Sequence, residues 1–304
     1  MAALPPAAVV GFGFAFLSFA GGRAEVWRMT DSTGPYSVLM AIAVLGVTLV
    51  LSGLLSMGPS GRHAPLVVLV GLATLPWLLG IAGTQEAVEK VLAALPDAGN
   101  GDALAVLVAG TGEAMVTRLL GAWMSAALLV AVAVGLVLLR ERATLVEEDS
   151  GRLLGAALGL ALGSIALLVA LEAHHLFELL TTLATQAPEA RAGLIAAGTK
   201  KLTHLQELRS ATLGALAVLA LALICWQFIL RPEDVTQWAG SLMLAALAAA
   251  VLVLDARPMQ LAARGAREAD VSRTLLPMLV HHDPSSAFDA VPPPRLPPGI
   301  RSKR

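Results

Sequence analysis

The chain has 304 residues, 57% of them hydrophobic and 14% charged, with a formal net charge of -1 and a mean hydropathy of +0.75. Soluble domains carry about 25% charged residues, so this composition excludes an ordinary soluble protein, and the near-zero charge gives no reason to expect a nucleic-acid partner. The single cysteine, Cys225, excludes an intrachain disulfide and a multi-cysteine metal centre and reads as a small buried core residue.

Residues 1–22 carry no charge. Their apolar core, 9–20, is short and lacks the basic flank of a secretory signal, so it reads as an extra membrane segment or an interfacial helix. Six charge-free runs follow at 37–57, 64–85, 119–139, 153–171, 210–230 and 235–254. About 20 apolar residues cross a hydrocarbon core. The expected fold is therefore all-α, a polytopic integral membrane helical bundle of six or seven transmembrane helices in contact with the lipid bilayer.

Four units follow in order: an apolar segment with a polar loop at 1–34, a three-helix unit at 35–140, a second hairpin plus a final transmembrane helix at 141–254, and a tail at 255–304. The connections alternate between short (58–63, 140–152, 231–234) and long (23–36, 86–118, 172–209, tail). Basic residues are denser in the short ones, which points to the cytoplasm for that side, while the basic tail on the other side points the opposite way, so charge alone does not settle the orientation. Within the connection 86–118, residues 86–95 read as a short amphipathic helix ended by Pro96 and a Gly/Asn/Asp cluster. The two central long connections each carry a proline (Pro96, Pro188) ahead of an Ala-Gly-Thr triplet (109–111, 197–199), a weak sign of internal repetition. The tail is basic and Pro-rich; 258–279 reads as a surface helix cut short by Pro277, and the last twenty residues as disordered. The tryptophans mostly lie near segment ends, as an aromatic belt places them.

Two constellations carry polar groups at membrane depth. In the first, Gly80 and Gly83 thin one helix face so that another backbone can approach, and Thr84 follows them. On the next segment Glu113, Thr117 and Gly121 recur every four residues, on one helix face. Facing hydroxyls and a carboxylate would line a path for protons or sodium; alternatively Thr84 caps a helix and Glu113 sits among headgroups.

The stretch from Thr33 to Arg140 resembles the MotA/TolQ/ExbB proton-channel family. Gly80-Ile81-Ala82-Gly83-Thr84 is similar to the motif of that family's second helix. Glu113-Ala114-Met115-Val116-Thr117-Arg118-Leu119-Leu120-Gly121 is similar to the start of its third, with Arg118 in place of a second threonine. The resemblance implies a proton-conducting stator of an energy-transducing complex in the plasma (inner) membrane. It implies a homo-oligomer around a single-helix partner bearing a membrane aspartate, with no enzymatic activity and no cofactor. Thr84, Glu113, Thr117 and Arg118 become ion-pathway candidates, and Gly80, Gly83 and Gly121 packing positions. Arg118 is always charged; it would repel cations or pair with an acid. A non-catalytic structural subunit of a larger membrane complex is the alternative.

The second constellation pairs Glu172 with His175 and His204 with Glu207, each i, i+3, on the two segments that flank one long connection. Such Glu-x-x-His pairs on facing helices are used in carboxylate-bridged metal sites. They would equally make a proton relay or a polar collar at the membrane surface.

Overall fold

A computed structural model describes residues 3–57, 66–95, 103–141, 149–186, 188–230 and 235–268. The chain is an all-α, multi-pass membrane bundle. Every regular element among those residues is a helix: α1 Leu4–Phe19, α2 Arg23–Ser32, α3 Pro35–Ser56, α4 Leu66–Ala73, α5 Leu75–Ala94, α6 Ala103–Glu141, α7 Asp149–Thr185, α8 Pro188–Leu230 and α9 Val235–Glu268. Five stretches are long and apolar enough to cross a membrane, or six if α1 and α2 count as one bent span. The sequence points to six or seven.

The difference lies at two breaks. Gly21 and Gly22 have φ of 85° and 117°, values that glycine alone adopts freely. They turn the chain by 99° from apolar α1 into polar α2. Segment 1–22 is thus a 16-residue helix, about 24 Å long and short of a full crossing. Segment 64–85 splits at Thr74, because Pro76 has no N–H and its ring crowds the carbonyl four residues back. Across that break, the Trp77 N–H donates to Ser125 Oγ on α6 at 2.9 Å. The expected amphipathic helix at 86–95 is the continuation of α5 rather than a separate element.

The helices also outrun the expected spans. The 39, 37 and 43 residues of α6, α7 and α8 make rods of roughly 55 to 65 Å, about twice the hydrocarbon thickness. The connection expected at 172–209 is almost wholly helix. Residues 255–268, placed in the tail by sequence, continue α9 through Pro258. The expected disorder of the final twenty residues, and Pro277, fall outside the described residues.

Two apolar cores result. The larger one contains Val47, Trp77, Leu119, Leu128, Ile165, Val169 and Val251. The smaller one contains Val88, Leu107, Met115, Leu180, Leu202 and Met259. α6 runs through both, packed most extensively on α7 and α5. Cys225, expected in the core, is exposed: it lies on α8, the span with the least buried surface.

Candidate functional site: a charge layer between two cores

Four ionised side chains lie where the two cores meet. Arg118 on α6 donates to Asp255 on α9 through Nε (3.0 Å to Oδ1) and Nη2 (2.6 Å to Oδ2). Arg209 on α8 bridges the two acids, with Nη1 3.1 Å from Glu172 Oε2 on α7 and Nη2 3.1 Å from Asp255 Oδ2. Arg118 Nη2 lies 4.0 Å from Glu172 Oε2. The Trp77 indole N–H on α5 donates to Asp255 Oδ1 at 3.0 Å, and Gln206 Nε2 reaches Glu172 Oε1 at 3.5 Å. Five helices therefore meet in one network of two cations and two anions.

Its members are buried: Arg118, Asp255 and Trp77 are 0% exposed and Glu172 1%, while the Arg209 side chain is 13% exposed. A charge so placed costs several kcal/mol unless it is paired and hydrogen-bonded. The pairing is near complete: Arg118 Nη1 alone among the network's atoms is buried with no hydrogen-bond partner within the described residues. The depth is uniform too. Arg118, Glu172, Arg209 and Asp255 each bound an apolar stretch whose other end is Arg140, Arg152, Arg231 or Asp234, some 20 to 22 residues away. At 1.5 Å per residue that is about 30 Å, so the layer lies at one face of the hydrocarbon slab, inside the bundle. Tyr36 at the start of α3, whose hydroxyl donates to Glu86 Oε2 at 2.7 Å, and exposed Trp27 on α2 are the side chains an interface recruits.

The motif residues sit beside this layer. A Cβ on Gly121 would stand 2.5 Å from the Pro76 carbonyl and 2.8 Å from Gly80 Cα; one on Gly83 would meet Thr117 Cγ2 at 2.6 Å and the Tyr36 ring. α5 and α6 thus touch backbone to backbone along the glycine seam. The hydroxyl of fully buried Thr84 donates to the Gly80 carbonyl at 2.7 Å and reaches the Ala114 carbonyl at 3.2 Å. Thr117 is buried in the same seam, and Glu113 is exposed. The triplet glycines share one role: Gly110 on α6 faces Val91 of α5, and Gly198 on α8 faces Leu179 of α7.

The second constellation does not assemble. Glu172 points into the charge layer, while His204 and Glu207, each 73% exposed, lie 3.8 Å from one another on the surface of α8. His175 Nδ1 lies 3.4 Å from Glu178. No three His, Cys, Asp or Glu side chains among the described residues are placed to hold a metal ion.

Sequence reading missed Asp255, assigned to the tail, and Arg209, assigned to a loop. Trp77, read as belt, is core. The available signal was positional: each apolar stretch ends in one charge on the same side. No family model, curated protein or solved structure matches the chain.

Proposed function

We propose that this chain is a multi-pass structural subunit of a larger complex in the plasma (inner) membrane, with no chemistry of its own. The observation that carries this reading is the bonding of Arg118. Where a conducting hairpin would need an open hydroxyl, the chain has a guanidinium committed to Asp255 and closed in by five helices. Thr84 likewise spends its hydroxyl on backbone carbonyls. The bare faces fit an assembly role. Only 6% of the apolar window of α8 and 28% of that of α3 are buried, leaving area for lipid, further copies or a partner's single helix.

A second reading, a proton-conducting stator-like subunit, draws support from one feature besides the motif resemblance. Thr84 and Thr117 line the same α5–α6 seam, and Glu113 stands exposed one turn from Thr117. Proton flux into liposomes loaded with a pH-sensitive dye separates the two. The structural reading expects flux at the lipid background, unchanged by Glu113→Gln or Thr84→Val. Flux that either substitution abolishes overturns it in favour of the second reading.

A further inference from the structure

We infer that a half-open groove between α8 and α9 is a binding site for one acyl chain of an anionic phospholipid, its headgroup at the level of Arg209. The groove has a volume of about 270 Å³ and a wholly apolar lining that includes Leu158 of α7, Leu213 and Ala217 of α8, and Ala248, Ala249 and Leu252 of α9. Its mouth is marked by Ala217 and Ala249, both exposed, and lies between side chains that face outward into the slab, Val218, Leu221 and Met243.

Position fixes its head. Leu213 and Ala217 follow Arg209 by four and eight residues, and Leu252 and Ala248 precede Asp255 by three and seven. These are same-face spacings, so the groove leads up to the Arg209–Asp255 pair, 3.1 Å apart. It starts about one turn below the charge layer and reaches about 15 Å below that layer.

Size and chemistry select the occupant. The lining runs only from Leu213 to Ala220 on α8 and from Ala245 to Leu252 on α9, about 10 Å or two turns, a length that suits a flexible chain lying along it rather than a helix packed across the whole slab. Water is excluded because the lining offers no polar partners. Charge complementarity sets the headgroup. Above the groove, from Arg209 to about 14 Å beyond it, α8 carries Lys200, Lys201 and Arg209 against Glu207, and Arg209 is the least covered of the four network charges. Basic groups at this height attract anionic headgroups.

The test is native mass spectrometry of the full chain, delipidated in mild detergent and then mixed with micelles of dioleoyl phosphatidylglycerol or dioleoyl phosphatidylcholine. The expected result is one retained phosphatidylglycerol per chain, about fivefold favoured over phosphatidylcholine, with that preference reduced by Lys200→Gln/Lys201→Gln. Ala217→Leu/Ala249→Leu should abolish retention while circular dichroism stays unchanged. If that pair fails to fold, Ala220→Leu, which fills the groove from another lining position, should lower retention on its own. Equal retention by the filled variants, equal retention of the two lipids, no bound lipid in the wild type, or a polypeptide displaced by groove filling would each overturn the inference.

Discussion

Arg118 and Asp255 are separated by 137 positions in the chain and joined by two hydrogen bonds, Nε to Oδ1 at 3.0 Å and Nη2 to Oδ2 at 2.6 Å, with neither side chain exposed. Paired donors of this fork geometry are what guanidinium offers and ammonium does not. Arg118→Met should leave Asp255 with Arg209 and Trp77 alone and cost about 3 to 5 kcal/mol. Arg118→Met/Asp255→Leu should recover part of that loss, because removing the second carboxylate restores the balance of one cation to one anion in the layer. Unfolding in mixed detergent micelles reads both. A single-variant cost under about 1 kcal/mol would show that the pair is solvated rather than buried.

The glycine seam gives a matched comparison. A methyl group on Gly121 meets backbone atoms at 2.5 and 2.8 Å, which cannot swing aside, whereas a methyl group on Gly214 meets nothing within 4 Å. Gly121→Ala should separate α5 from α6 and lower stability by about 1 to 3 kcal/mol. Gly214→Ala should be neutral, or stabilising by up to about 1 kcal/mol through helix propensity alone. Thermal melts of the two variants in the same detergent check the contrast. Equal effects would mean that the seam is not a backbone contact.

Hydropathy made the helical class and all five of the long spans legible, because about 20 charge-free residues at a stretch have few other uses. The spacing of Gly80 and Gly83 marked them as packing positions, since small residues along one face imply a close neighbour, and the motif resemblance added Gly121. What hydropathy hid was partnership. Asp255 and Arg209 each stand at the edge of an apolar run, where a charge normally marks the water, so they read as boundaries. Only the extension of α8 and α9 past those edges turns boundary charges inward. Glu172 was singled out for a histidine three residues on, but its helix face belongs to Arg209 instead. The charge of Asp255 made α9 look finished at 254; the helix continues through Pro258, and Met259, Ala262 and Ala263, expected on a surface helix, are buried.

The split of the Glu172/His175/His204/Glu207 set predicts no transition-metal site. Elemental analysis of the purified chain after dialysis against zinc, iron and manganese should find far less than one equivalent. His204→Ala, at an exposed position on α8, should move stability by less than about 0.5 kcal/mol. Glu172→Gln should behave quite differently and cost several kcal/mol, because it leaves Arg209 and Arg118 with one carboxylate between them. Stoichiometric metal, lost with His204, would overturn the assignment of Glu172 to the charge layer.

Trp77 tests whether the layer acts as a unit. Its indole N–H donates to Asp255 Oδ1 at 3.0 Å while its backbone N–H donates to Ser125 at 2.9 Å, so one residue ties the broken α4–α5 segment to both α9 and α6. Trp77→Phe keeps an aromatic ring and the backbone bond but removes the indole donor. A lost hydrogen bond to a charged group costs about 1.5 to 3 kcal/mol, and the smaller ring adds a packing loss. The two contributions separate in a double-mutant cycle with Asp255→Leu. The packing loss persists in both backgrounds, while the hydrogen-bond part vanishes once the carboxylate is gone. The cycle should therefore return a coupling of about 1 to 2 kcal/mol, within the range found for residues sharing one network. A coupling near zero would mean that Trp77 contributes shape alone and that the carboxylate is held by its two arginines without it.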